Sequence, residues 1–179
     1  MIPAGVRLDG DGVVLREWSE RDLDRMVEIF DDPEIAYRVP VATPFDRRAA
    51  EAHLDVARRA QAAGERLCLA ITTADDDRAR GEVMLALATR SIGYVVGPAH
   101  RGLGLASRAV RLLTRHAHEV FALPTVCLQI EADNAGSLAV ARATGYQPVD
   151  SAPEYVEDKG RRYALHRWEH RAPTSPGPA

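Results

Sequence analysis

The chain has 179 residues, of which 46% are hydrophobic and 27% charged, with a net charge of −3. That balance predicts one globular domain with a real core and excludes a chain too polar to collapse. Slight acidity also argues against a nucleic-acid or anionic-membrane binder, which carries a global basic excess.

Cys68 and Cys127 sit in apolar runs and read as buried reduced thiols, which suits a cytoplasmic protein better than a disulfide framework would. After Met1-Ile2-Pro3-Ala4 there is no export-type apolar region, and nowhere do 18 apolar residues follow one another. No membrane or nucleic-acid partner is therefore expected.

In chain order, Asp9 to Gly12 reads as a turn and Val13 to Trp18 as a first strand. Ser19 caps a helix with Leu23, Met26, Val27 and Phe30 on one face, stopped by Asp32-Pro33; Glu34 to Thr43 reads as irregular. Asp46 starts a second helix with a stripe of Ala50, Leu54, Ala57 and Gln61, ended by Gly64. Leu67 to Thr72 is a strand, Asp75 to Asp77 a solvated turn, and Gly81 to Ala88 and Ile92 to Gly97 a hairpin pair.

A glycine-rich stretch, His100 to Ser107, then opens a long helix with Leu105, Ala109, Leu112, Leu113 and Ala117 on its apolar side. Val126, Leu128 and Ile130 mark the next strand, so the strand–helix–strand unit predicts a parallel pair with a right-handed crossover. Asp133-Asn134 caps a helix from Ala135 to Thr144, ended by Gly145. Tyr146 to Asp150 and Arg161 to Trp168 read as the last strands, joined by a polar loop with Lys159-Gly160 as its turn. Residues 1–170 form the expected domain and 171–179 a disordered tail.

A strand, a glycine turn and a helix N-terminus in that order make an anion site, because the first-turn N–H groups lack partners inside the helix and the dipole favours negative charge. There is no Lys-Ser/Thr pair for a nucleoside triphosphate, and the third glycine of a dinucleotide fingerprint is missing. Arg101-x-x-Gly104-x-Ala106 remains, open to two readings: a ligand loop or a tight turn capping an ordinary helix. Arg108, Arg111 and Arg115 form a basic face that either meets a phosphate or is simply solvated. His116 and His118, two apart on a helix, do not face one metal, and no metal is expected.

The loop resembles the pyrophosphate-binding segment of the GCN5-related N-acetyltransferases (GNAT), and residues 8–168 resemble that superfamily's RimJ/RimL-type branch. Leu15-Arg16 with Arg21-Asp22-Leu23, Asp32-Pro33-Glu34, Ile92-Gly93-Tyr94, Asn134-x-x-Ser137 and Gly145-Tyr146 carry the likeness in order. It implies an α/β (α+β) fold, a mixed, mostly antiparallel sheet with a central splayed parallel pair flanked by helices. Acetyl-CoA is the implied cosubstrate, without a metal.

Arg101, Gly102, Leu103, Gly104, Leu105, Ala106 and Ser107 would hold the pyrophosphate, and Tyr94, Val95 and Val96 would offer an open strand edge to pantetheine. Two departures stand out. Ala141 occupies the position of a tyrosine acid found in many relatives, and Ser91 that of a glutamate frequent in the branch. Ser137 is then the candidate donor to the CoA sulfur and Asn134 a positioning residue, unless both only cap their helix. Glu82 and Glu131 are the candidate bases.

The expected activity is direct acetyl transfer to a primary amine, a protein N-terminus or a small molecule. A non-catalytic acyl-CoA-binding module is the alternative, and a homodimer stays open.

Overall fold

The computed structural model describes residues 2–173. Nine strands form one sheet, β1 (Arg7–Gly10), β2 (Val13–Glu17), β3 (Arg66–Thr73), β4 (Asp76–Ala86), β5 (Ser91–Val96), β6 (Thr125–Ile130), β7 (Gln147–Pro148), β8 (Glu154–Asp158) and β9 (Arg161–Arg171). Their order is β1-β2-β3-β4-β5-β6-β9-β7, with β8 also on β9. Every pairing is antiparallel except β5 with β6, which share a single register pair, Ser91 opposite Cys127. Beyond that pair the two strands part, which leaves the far edge of β5 unpaired from Ile92 onward.

Helices α1 (Leu23–Phe30), α2 (Pro33–Arg38) and α3 (Arg47–Ala62) cover one face, and α4 (Leu105–Glu119) and α5 (Ala135–Ala143) the other. An eight-residue helix is marginal alone in water. Burial of Met26, Ile29 and Phe30, each at most 1% exposed, holds α1 in place at about 1.5–3 kcal/mol per side chain. A buried ion pair sets its angle: Arg16 on β2 donates from Nη1 and Nη2 to the two carboxylate oxygens of Asp22, both at 2.8 Å. Burial works against the Asp22 carboxylate, but Arg16 and the Ser19 cap hold its pKa below the usual range.

Five elements differ from the sequence-based reading. Asp32-Pro33 ends α1 and also starts α2, since the Asp32 side chain accepts from Ile35 N and proline fits the first helical position. The polar runs Arg7–Gly10 and Glu154–Asp158 are edge strands, β1 and β8, whose weak alternation hides them. Asp76-Asp77 begins β4, after a register shift between Ile71 and Thr73. The Tyr146 to Asp150 segment contributes only the two-residue β7. Lys159 and Gly160 have φ of 49° and 72°, as a tight β8–β9 turn demands. β9 runs through Arg171 and Ala172 N donates to Pro124 O; the rest of the expected tail, from residue 174, lies outside the described residues.

Candidate active site

The splay of β5 from β6 opens two clefts that meet in its middle. The first, about 380 Å³, runs from the glycine loop along the free edge of β5. Tyr94, Val95, Val96, Arg101, Gly102, Gly104, Leu105, Ala106, Ser107, Asn134 and Ser137 all line it. Leu103 does not: it is 58% exposed, and its carbonyl accepts from Arg108 Nη2 at 3.0 Å. Gly102 and Gly104 have φ of 76° and 69°, and a side-chain carbon on either would meet nothing within 4 Å. The chain thus needs glycine there for its backbone, and the space above it is open for a ligand. Gly81 is glycine for another reason: a side-chain carbon would come within 2.2 Å of Val95 O on the neighbouring strand.

Glu34, Ile35, Arg38 and Val39 of the α2 segment roof this cleft. Arg101 reaches across to them, pairing with Asp32 at 2.9 Å and Glu34 at 2.6 Å. Burial alone would raise the Asp32 pKa, but the Ile35 N–H and Arg101 together hold it below the usual range. The basic face of α4 is largely solvent-exposed, and part of it is engaged: Arg108 donates to Asp11 O and Arg111 pairs with the Asp11 carboxylate, fastening the β1–β2 turn to the helix.

The second cleft, about 710 Å³, lies on the α1–α3 side. Phe30, Phe45, Val56, Met84, Leu128, Ile130 and Leu165 make most of its wall apolar, and Glu82 and His53 place a charge-bearing pair within it. Glu82 stands opposite Val95 in the β4–β5 register, so it faces the point where the clefts join. Its Oε2 accepts from Trp18 Nε1 at 2.7 Å and lies 2.8 Å from His53 Nε2. Burial would lower the His53 pKa, but the hydrogen bond and negative charge of Glu82 outweigh it and raise the imidazole above its usual 6.5. Arg38, Val39, Tyr94, Val95, Asn134 and Ser137 line both clefts.

Glu131 is arranged differently. It lines neither cleft, and Arg161 meets it at 2.6 and 3.0 Å while Arg38 approaches to 3.2 Å. Those two guanidiniums, Arg161 foremost, hold its pKa below the ordinary carboxylate value despite burial. Arg161 is itself stacked between the rings of Tyr37 and Tyr163, 4.0 and 3.9 Å from their centroids. Asn134 caps α5 by accepting from Ser137 N at 3.0 Å, which accounts for the Asn134 side-chain oxygen.

Cys68 and Cys127 are both buried and free, and burial pushes both thiols up from their usual pKa. His100 instead stands 3.2 Å from Arg25, and burial with that cation lowers its pKa. Sequence reasoning missed His53 because a helical histidine beside a polar run has no motif; its place beside Leu54 on the buried stripe was the available signal. Arg38 and Arg161 carried none, since their partners are 93 and 30 residues away in sequence. Among the described residues, no group of three His, Cys, Asp or Glu could hold a metal, and no helix is long and apolar enough to cross a membrane.

Residues 13–147 match the family model described as an acetyltransferase (GNAT) domain. Over 96 residues the chain is 34% identical to the probable N-acetyltransferase YjcK of Bacillus subtilis, covering 50% of this chain and 53% of that relative. The match therefore spans about half the length of the curated relative. Among solved structures, one from Vibrio cholerae assigned as a ribosomal-protein-serine acetyltransferase superposes with a TM-score of 0.82 at 17% identity, over 96% of this chain and all (100%) of that one. RimL, a ribosomal-protein α-N-acetyltransferase with coenzyme A, gives 0.78 at 14% identity over 93% and 98%. MccE, a microcin self-immunity acetyltransferase with acetyl-CoA and AMP, gives 0.76 at 16% over 91% and 94%. Identities this low speak to the fold alone.

Proposed function

The chain belongs to the GNAT acetyltransferase family, and from that premise we propose that it transfers the acetyl group of acetyl-CoA directly to a primary amine, with Glu82 and His53 as the basic pair. One observation carries the reading: an open cleft over the glycine loop meets, at Val95, a second cleft that holds a buried carboxylate–imidazole pair.

Pyrophosphate would take the N–H groups of Gly102 to Ser107 and the positive end of α4, drawing Arg101 from its acidic partners. The pantetheine amides would pair with the free edge of β5 at Tyr94 to Val96. This brings the thioester to the residues that line both clefts.

The acceptor approaches from the apolar side. Both hydrogen bonds to Glu82 fall on Oε2, so Oε1 is the oxygen that can receive the proton of an incoming ammonium. His53, with its pKa above 6.5, must itself be neutral before the pair can take a further proton. The neutral amine then attacks the thioester carbon. A covalent enzyme intermediate is disfavoured, because the Cys68 thiol in the acceptor cleft is kept protonated by burial.

Glu131 is read as a strut that ties α2 to the β8–β9 turn, since a carboxylate shared by two arginines is a poor base. Ser137 faces both clefts and donates to the sulfur; Asn134 holds it in place through the helix cap. The acceptor is read as a protein N-terminus or a small amine.

Thiol release from acetyl-CoA, measured against a panel of N-terminal peptides and small amines, tests the proposal. Turnover with at least one amine is expected, and bound acetyl-CoA without turnover on any would favour a non-catalytic acyl-CoA-binding module. Gly104→Val should abolish CoA binding by calorimetry, as its side chain enters the open space over the loop at a backbone angle that valine resists.

A further inference from the structure

Two tyrosines on the α4–α5 side of the sheet differ in one respect. Tyr146 is 1% exposed and its hydroxyl is satisfied by Thr114 Oγ1 at 2.7 Å. Tyr94 also packs against that core, but its hydroxyl is buried with no well-formed hydrogen bond, only a loose interaction with the Ser137 side chain. An orphaned buried polar group costs about 1–3 kcal/mol, and such groups persist where a ligand supplies the missing partner. The orphan is placed where the thioester would arrive: Tyr94 and Ser137 line both clefts, whereas Tyr146 and Ala141 line neither. Ala141 is fully buried, and Ser137 is the one α5 hydroxyl that reaches the clefts.

We propose that the Tyr94 hydroxyl on strand β5 is the acid that protonates the departing CoA thiolate, while Ser137 on α5 gives the sulfur only a hydrogen bond. The assignment rests on the acetyl-transfer reading above. As the tetrahedral intermediate collapses, the C–S bond breaks and its electron pair goes to sulfur. The Tyr94 phenolic proton moves to that sulfur, and the proton surrendered by the attacking amine, passed through the Glu82–His53 pair and solvent, restores the phenol. No other reactant is needed.

A phenol suits the task better than Ser137 alone. Unperturbed, it titrates near 10 against about 8.5 for an alkyl thiol, whereas an aliphatic hydroxyl is a far weaker acid. Burial raises the Tyr94 pKa, with the neighbouring Ser137 side chain offsetting part of the rise, so the phenol stays protonated while the amine is neutral. The same desolvation disfavours the thiolate, which keeps the transfer matched. Ser137 then orients the sulfur.

The test compares Tyr94→Phe with Tyr146→Phe in the full chain. Tyr94→Phe should lower kcat on the order of 100-fold with KM for acetyl-CoA within about threefold, and leave the thermal midpoint of the ligand-free protein unchanged or raised, because it removes an orphan. Tyr146→Phe should do the reverse, lowering the midpoint by stranding Thr114 and sparing kcat. In Tyr94→Phe the ultraviolet thiolate band of bound CoA should titrate at higher pH than in the wild type, since a donor to the thiolate is gone. Wild-type kcat in Tyr94→Phe, or an unmoved thiol titration, overturns the assignment. Should the wild type release no thiol with any amine, the acetyl-transfer reading falls, and the thiol titration still decides on Tyr94.

Discussion

Glu82 and Glu131 are both acids beside the splayed strands, 7% and 8% exposed, yet their surroundings give them opposite chemistry. Glu82 has an indole N–H and an imidazole for partners, one uncharged and the other able to lose its charge within the physiological range. Glu131 has two guanidiniums, which never give up their protons. Equal burial therefore leaves one carboxylate paired with an indole and an imidazole and the other held as an anion between two arginines. Exposure does not separate the two; the chemistry of their partners does.

The largest effect expected from this contrast is on turnover. Glu82→Gln should lower kcat on the order of 10²- to 10³-fold while calorimetric CoA binding stays near wild type; Glu131→Gln should leave kcat within a fewfold. Equal losses from both would erase the distinction.

Next comes the pH profile. Because a protonated His53 blocks the pair and its pKa is raised, kcat/KM should fall as pH drops through a value above 6.5. His53→Gln should cost about tenfold at neutral pH and remove that limb. A limb that persists unchanged in the variant assigns it to another group.

Stability should show the reverse order. Glu131→Gln strands Arg161 and Arg38 against α2, and since both arginines reach solvent the loss is about 1–2 kcal/mol, read in a denaturant melt. Smallest are the pH windows of that stability. The His53 contribution is complete below about 6.5 and fades as pH rises through its raised folded pKa. The Glu131 contribution is complete above about 4.5 and fades as pH falls through its lowered folded pKa. Each variant should flatten only its own window.

The donor half of the site is legible in the chain because its pieces are local. Gly102, Gly104 and the N-terminus of α4 are consecutive, and Asn134 reaches Ser137 across one helical turn. The second cleft and its surroundings are built from residues far apart: His53 meets Glu82 over 29 residues, and the Arg161–Glu131 tie beside it spans 30. No periodicity or spacing encodes such meetings. The α2 roof was hidden for a related reason, since Asp32-Pro33 is both a stop for one helix and a start for the next, and only what packs beneath Ile35 selects the second role.

By itself the sequence determined the strand–glycine–helix unit and the parallel pair around it, because hydrogen bonding and hydrophobic period are short-range consequences of residue order. Tertiary structure alone decided which buried carboxylate meets an imidazole and which meets two arginines, and which tyrosine hydroxyl is poorly satisfied. Charge, burial and hydrogen-bond satisfaction depend on neighbours in space, and those neighbours are assembled only when the sheet and its two helical layers close.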